Sequence, residues 1–179
     1  MQTGKFFEKE TIDFLEDFLK SSSKNSLEIK IQKEYKIEKM NNYIADFFFK
    51  FKNINYIGEI KYYRSPLAQM ELLTRAAFQI TEAAKAINQN IKEQNKEIKE
   101  NTIPILIVSC YVSPIQREIL LKKYSELILI DRLTLLNTPL GNGGYFNSSI
   151  LLDSDELVTY SNPKENNLNN YFLKDNLND

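Results

Sequence analysis

Two apolar, aromatic-rich runs joined by a short polar turn constrain this chain more than any other feature. The runs are Tyr43–Phe51 and Tyr56–Tyr63, and the turn lies around Lys52, Asn53, Ile54 and Asn55. β-Branched and aromatic residues suit a pleated, half-buried surface. The pair therefore reads as two strands of a hairpin. The first strand carries an acid, Asp46, and the second carries Glu59 and Lys61 two residues apart. Side chains alternate faces along a strand, so Glu59 and Lys61 share one face while Ile60 and Tyr62 take the other. A turn centred near Asn53 and Ile54 sets Asp46 opposite Lys61 and diagonal to Glu59. Diagonal neighbours lie about 7–8 Å apart, a gap that a metal ion held by two carboxylates can bridge.

The segments around the hairpin give the order αβββαβαβ. Gly4–Lys20 reads as an amphipathic helix with Phe7, Ile12, Phe14, Leu15, Phe18 and Leu19 on its apolar stripe. Glu8 lies on that stripe, whereas Glu10, Asp13 and Asp17 face solvent. Leu27–Ile37 alternates like a half-buried strand. Ser65-Pro66 is expected to open a long helix, whose apolar stripe is Met70, Leu73, Ala77, Ile80, Ala84, Ile87 and Ile91. Past Gln89 this helix turns polar and is expected to project into solvent. Ile103–Val112 reads as a buried central strand. Ser113-Pro114 starts a helix to about Tyr124. Leu127–Asp131 reads as a second buried strand, with Asp131 capping a helical turn over Leu133–Leu136. This is an α/β chain with a mixed sheet flanked by helices. Residues 1–140 are read as one domain, and 141–179 as a C-terminal extension, tail or linker. Gly141-Asn-Gly-Gly is its joint, Ile150–Tyr160 an edge strand or short helix, and the stretch from Ser161 has few apolar anchors.

Composition narrows the chemistry. The 179 residues include no histidine and one cysteine, Cys110. Histidine-based zinc sites and histidine-dependent triads are therefore excluded. Cys110 falls in the apolar run Ile105–Cys110 and reads as a core residue. A single cysteine permits no intrachain disulfide and suits a reducing cytoplasm, the expected location. No stretch approaches the roughly 20 apolar residues of a membrane span. The net charge of −1 gives no global pull toward nucleic acid, so any phosphate contacts must come from local basic residues.

What remains for acid–base or metal chemistry is carboxylate, lysine, tyrosine and the single Cys110. Mg²⁺ takes hard oxygen ligands and keeps several waters, so Asp46 and Glu59 suffice as its side-chain ligands, with the backbone carbonyl of Ile60 as a further one. Such a metal polarises a phosphate and acidifies a bound water. Lys61 can orient that water and offset charge developing on the phosphate. Glu8 is a candidate to complete the site or hold a second ion. Arg64, at the strand end, is a candidate phosphate contact. The tyrosines read mainly as core or strand-pairing residues.

Asp46, twelve residues, then Glu59-Ile60-Lys61 resembles the signature of the PD-(D/E)xK nuclease superfamily. Gly4-Lys-Phe-Phe-Glu8 resembles the opening helix of its Mrr-type members, and Leu127–Asp131 with Arg132–Leu136 resembles their closing strand and helix. Ala45 stands where the name-giving proline would be. The resemblance spans Gly4 to Leu136 and implies a restriction-endonuclease-like fold with an αβββαβ core. It implies a Mg²⁺- or Mn²⁺-dependent DNA endonuclease, in restriction or anti-phage defence, with Asp46, Glu59 and Lys61 as catalytic residues and Glu8 as a fourth. Some members carry a glutamine on the helix after the core lysine; Gln79, with Arg75 one turn before it, is the candidate, and both are candidate nucleic-acid contacts. Two alternatives stand beside this reading. One is an RNA-cleaving or toxin-type nuclease on the same fold, and the other is a non-catalytic nucleic-acid-binding or assembly module. With no separate recognition domain in view, a homodimer or a specificity or sensor partner is expected.

Overall fold

The hairpin forms, and its turn sets the register of the two strands it joins. A computed structural model describes residues 4–22, 29–95, 97, 101–137 and 168–172. β2 (Ile44–Phe51) and β3 (Ile54–Lys61) run antiparallel from Phe51↔Ile54 to Phe47↔Gly58. Between them stand only Lys52 and Asn53, both left-handed at φ 49° and 61°. Two consecutive left-handed residues match the right-handed twist of the flanking strands. The expected turn was one residue later. The left-handed pair moves it to Lys52-Asn53, and the register shifts with it.

β1 (Gln32–Lys36) pairs antiparallel with β2. It is shorter than the alternation of Leu27–Ile37 predicts. Ile29, Ile31 and Ile37 are buried as expected, but Glu34 sits at φ 52° within the strand. β4 (Thr102–Val108) and β5 (Ile128–Ile130) then add in parallel to β3, giving the sheet order β1-β2-β3-β4-β5.

Helices cover both faces of this mixed sheet. On one face, α1 (Gly4–Ser22) buries Phe7, Ile12, Phe14, Leu15, Phe18 and Leu19 against Phe47, Phe49, Phe51, Tyr56, Ile60 and the isoleucines of β4 and β5. On the other, α2 (Met70–Gln94) buries Leu73, Ala76, Ala77, Ile80, Ala83 and Ala84 against Ile57, Leu106 and Val108. Alanines at the contact bring the helix close to the sheet. α3 (Pro114–Lys123) joins the same layer through Leu120. It starts as expected, with Ser113 Oγ accepting from Gln116 N and the Gln116 side chain accepting from Ser113 N, a reciprocal cap. The αβββαβ order is present.

α2 starts later than Ser65-Pro66 predicts. The backbone of residues 66–68 instead pairs with Tyr111: Tyr111 N donates to Pro66 O (2.8 Å) and Ala68 N to Tyr111 O (3.0 Å). These bonds hold the segment extended until Met70. As expected, the far end of α2 is exposed from Lys92 to Gln94.

Asp131 caps α4 (Arg132–Asn137). Its Oδ1 accepts from Thr134 N and Thr134 Oγ1 (both 3.0 Å), and its Oδ2 accepts from Val112 N (3.0 Å). The joint at Gly141 and the Ile150–Tyr160 segment lie outside the described residues. Beyond Ser161, Leu168 and the short α5 (Asn169–Phe172) return to the core. Leu168 and Phe172 are buried there, with the Phe172 ring edge-on to Tyr56 at 5.4 Å. The polar composition around these residues hides two apolar anchors. No helix among the described residues is long and apolar enough to cross a membrane.

Candidate active site

The β2–β3 ladder stops short of the strand end, and the site occupies the gap. Its last pair is Phe47↔Gly58. Phe47 is wholly buried, and its ring lies where a side chain at position 58 would be: a Cβ there would meet Phe47 Cζ at 1.9 Å. Only glycine permits that approach. One residue further, β2 changes which face it presents. Phe47, Phe49 and Phe51 pack on the α1 side, whereas Ala45 and Tyr43 pack on the α2 side. Uniform alternation predicts a single aromatic odd-numbered face, and the strand departs from it at Asp46. There the Asp46 carboxylate takes the place of a main-chain acceptor, and Ile60 N donates to its Oδ2 at 2.6 Å.

The turn at Lys52-Asn53 shifts the register by one step from the sequence expectation, so that, continued past its last pair, it would set Asp46 toward Glu59 rather than Lys61. The two acids feel each other, the Glu59 charge adding to the rise in the Asp46 pKa. Glu59 is buried. Its Oε2 accepts from the Tyr43 hydroxyl at 2.5 Å, and its Oε1 forms an ion pair with Lys61 Nζ. Lys61 and Glu59 share a face of β3, as alternation predicts. In extended backbone, the N–H and C=O of one residue point to the same edge. Because Ile60 N–H reaches Asp46, the Ile60 carbonyl faces that edge too.

The electrostatics report crowded negative charge. Burial pushes Asp46 up to about 7, with Glu59 and then Glu8 adding to the rise, while the Ile60 N–H and Lys61 oppose it. Burial, followed by the Glu59 and Asp46 charges, pushes the Tyr43 phenol far above its ordinary range, so it remains a proton donor to Glu59. Glu8 is half-buried on α1, which reaches the end of β3 through Phe7 and Tyr62, ring centroids 6.0 Å apart. Glu8 acts on Asp46 through space, but among the described residues no group of three acidic, His or Cys side chains is arranged to hold a metal ion.

The other candidates lie further out. Arg64 is exposed just past β3. Arg75 and Gln79 are exposed on α2, on the side away from the sheet, and Arg75 pairs with Glu71 at 3.0 Å. Cys110 is wholly buried, and burial pushes its thiol up to about 12, as befits a core residue rather than a nucleophile. Tyr43 is the site residue that sequence reading missed. Its signal was a hydroxyl at the head of a strand that carries a half-buried acid.

No family model and no curated protein matches the chain. Among solved structures it is similar to AF1548, a protein of unknown function, at 12% identity and a TM-score of 0.49, over 86% of this chain and 76% of that one. It is also similar to a repair endonuclease from Pyrococcus abyssi, at 17% identity and a TM-score of 0.40, over 74% of this chain and 46% of that one. The chain thus spans less than half of the endonuclease. Likenesses this distant leave the chemistry to be read from the side chains.

Proposed function

We propose that the chain is a metal-dependent endonuclease that hydrolyses DNA phosphodiester bonds at Asp46, Glu59 and Lys61. One observation carries this reading: two carboxylates that act on each other beyond the end of a strand ladder, Asp46 held by the Ile60 N–H and Glu59 paired with Lys61. The donor set suits Mg²⁺ or Mn²⁺, being all hard oxygen and short of positive charge. Asp46, raised to about 7 by burial and by Glu59 and Glu8, is a group that a cation would return to its ionised form. Asp46, Glu59 and the Ile60 carbonyl would hold the ion, which when bound supplies Lewis acidity to the phosphate and to water.

The chain's own residues set the geometry. The Ile60 N–H fixes one Asp46 oxygen, and Tyr43 fixes one Glu59 oxygen. Lys61, partly exposed beside Glu59, points a cation at the place where a phosphate oxygen gains charge. Glu8 adds a further acid from α1, and Arg64 stands where a neighbouring phosphate would pass. Arg75 and Gln79, on the outer side of α2, would need the nucleic acid to wrap that helix.

Cleavage of supercoiled plasmid, single-stranded DNA and RNA tests the reading, with Mg²⁺, Mn²⁺ or EDTA and with Asp46→Ala and Lys61→Ala. Metal-dependent nicking lost in both variants is expected. Preference for RNA would move the substrate and keep the site. Activity that survives both substitutions would refute the site. Neither cleavage nor metal binding by calorimetry would leave a non-catalytic module.

A further inference from the structure

The outer surface of α2 carries a stripe that the sheet does not use. Glu71, Arg75, Phe78, Glu82 and Lys85 recur at alternating steps of four and three residues, the spacing of a helix-packing seam. The helix buries its opposite side on the sheet. Phe78, at the centre of the stripe, is 55% exposed. In the same layer, α3 packs inward through Leu120 and turns Ile115 (71% exposed) and Ile119 (54%) outward. Single exposed apolar residues are ordinary, and it is the charge pattern around Phe78 that sets this stripe apart.

The order of charges indicates what covers it. Along the stripe the sequence is minus, plus, phenylalanine, minus, plus; read backwards, every sign is exchanged. A second copy laid antiparallel about a two-fold axis through Phe78 therefore sets each Glu71 against the other copy's Lys85, and each Arg75 against its Glu82. Glu71 and Lys85 each lie about 10 Å from Phe78 along the helix axis, so the distances agree as well as the signs. Within one chain, Arg75 already donates to Glu71 (3.0 Å) and Lys85 to Glu82 (2.9 Å). Pairing two copies would join these into groups of alternating sign. A two-fold contact must be self-complementary, and this stripe is.

We propose that the chain forms a two-fold homodimer through the outer face of α2, with Phe78 on the axis and Ile115 and Ile119 of α3 flanking it. The proposal is independent of the chemistry of the acids.

Sedimentation velocity over about three decades of concentration, at low and high salt, tests it. A monomer–dimer equilibrium weakened by salt is expected. Phe78→Glu should raise the dissociation constant at least about tenfold. Lys85→Glu should weaken the dimer, and adding Glu71→Lys to the same chain should restore it, because the swap recreates the complementarity. Circular dichroism checks that these surface variants stay folded. A wild type that remains monomeric throughout would overturn the proposal and leave the face to a different protein. So would a dimer that is indifferent to Phe78→Glu, or a double variant as weak as Lys85→Glu alone.

Discussion

The Tyr43 hydroxyl donates to Glu59 Oε2 at 2.5 Å, so the buried acid is held by a phenol on one oxygen and by Lys61 on the other. Tyr43→Phe should test how much that grip matters. A buried carboxylate deprived of one donor is destabilised by about 1–3 kcal/mol. If Glu59 holds a metal, loss of its outer partner should also weaken Mn²⁺ binding about 10- to 100-fold. Denaturant melts and calorimetry measure the two effects separately. Unchanged values in both would mean that Tyr43 is only a packing residue.

The pH dependence of stability should carry the mark of Asp46. Its pKa is raised by folding from the ordinary 3.8 to about 7. The folded state therefore holds a proton that the unfolded state has released between those values. Without metal, the part of the stability that the Asp46 proton contributes should be fully present below about pH 4 and be lost as pH rises through about 7, the reverse of a salt-bridged carboxylate. Asp46→Asn removes the titration while keeping an oxygen to accept from Ile60. Thermal melts in EDTA should show the variant more stable than wild type at pH 8 and equal to it near pH 4.

The same proton should appear in metal binding. Below about pH 7, a cation at Asp46 must displace it, so affinity should drop as pH falls and binding should release a proton. Calorimetry in buffers of different ionisation enthalpy reads that release directly. Metal binding with no proton uptake or release at pH 6 would separate the ion from Asp46.

Gly58→Ala should be severe for a surface-sized change. Its Cβ would overlap the buried Phe47 ring at 1.9 Å, and overpacking of this kind costs about 1–3 kcal/mol or more. Phe47→Leu in the same chain should recover part of the loss. A double variant no more stable than Gly58→Ala would place the strain in the backbone.

Phe172→Ala should unseat the C-terminal anchor. The ring is buried against Tyr56, Phe49 and Phe18 at 5.4, 6.1 and 6.4 Å, and removing such a ring costs about 3–5 kcal/mol. A chain ending at residue 140 should lose a similar amount in urea melts.

Much of this was legible in the sequence because local patterns decide it. The α1 stripe, the apolar run of β4, the Ser113-Pro114 cap and the Glu59–Lys61 face all follow from periodicity or capping chemistry. The hairpin register did not, because Lys52 gives no sign that it will adopt a left-handed backbone. The start of α2 was hidden by a bond partner, Tyr111, more than forty residues away. Leu168 and Phe172 were hidden in the same way, since docking at a distance leaves no trace in neighbouring composition. Tyr43 was readable only once β2 was known to change faces beside it.

The sheet order β1-β2-β3-β4-β5 repeats the order of the chain. Each new strand finds its neighbour already made, either across a hairpin or after a single helix. Such a chain can fold as it is synthesised, adding one strand at a time to the growing edge, with few long loops to close. Glu8, Asp46, Glu59 and Lys61 all emerge within the first 61 residues, so the acids cluster before α2 and β4 arrive to bury them. At that length the charge is still open to water, and the next helix to form, α2, is the one that covers this face of β3.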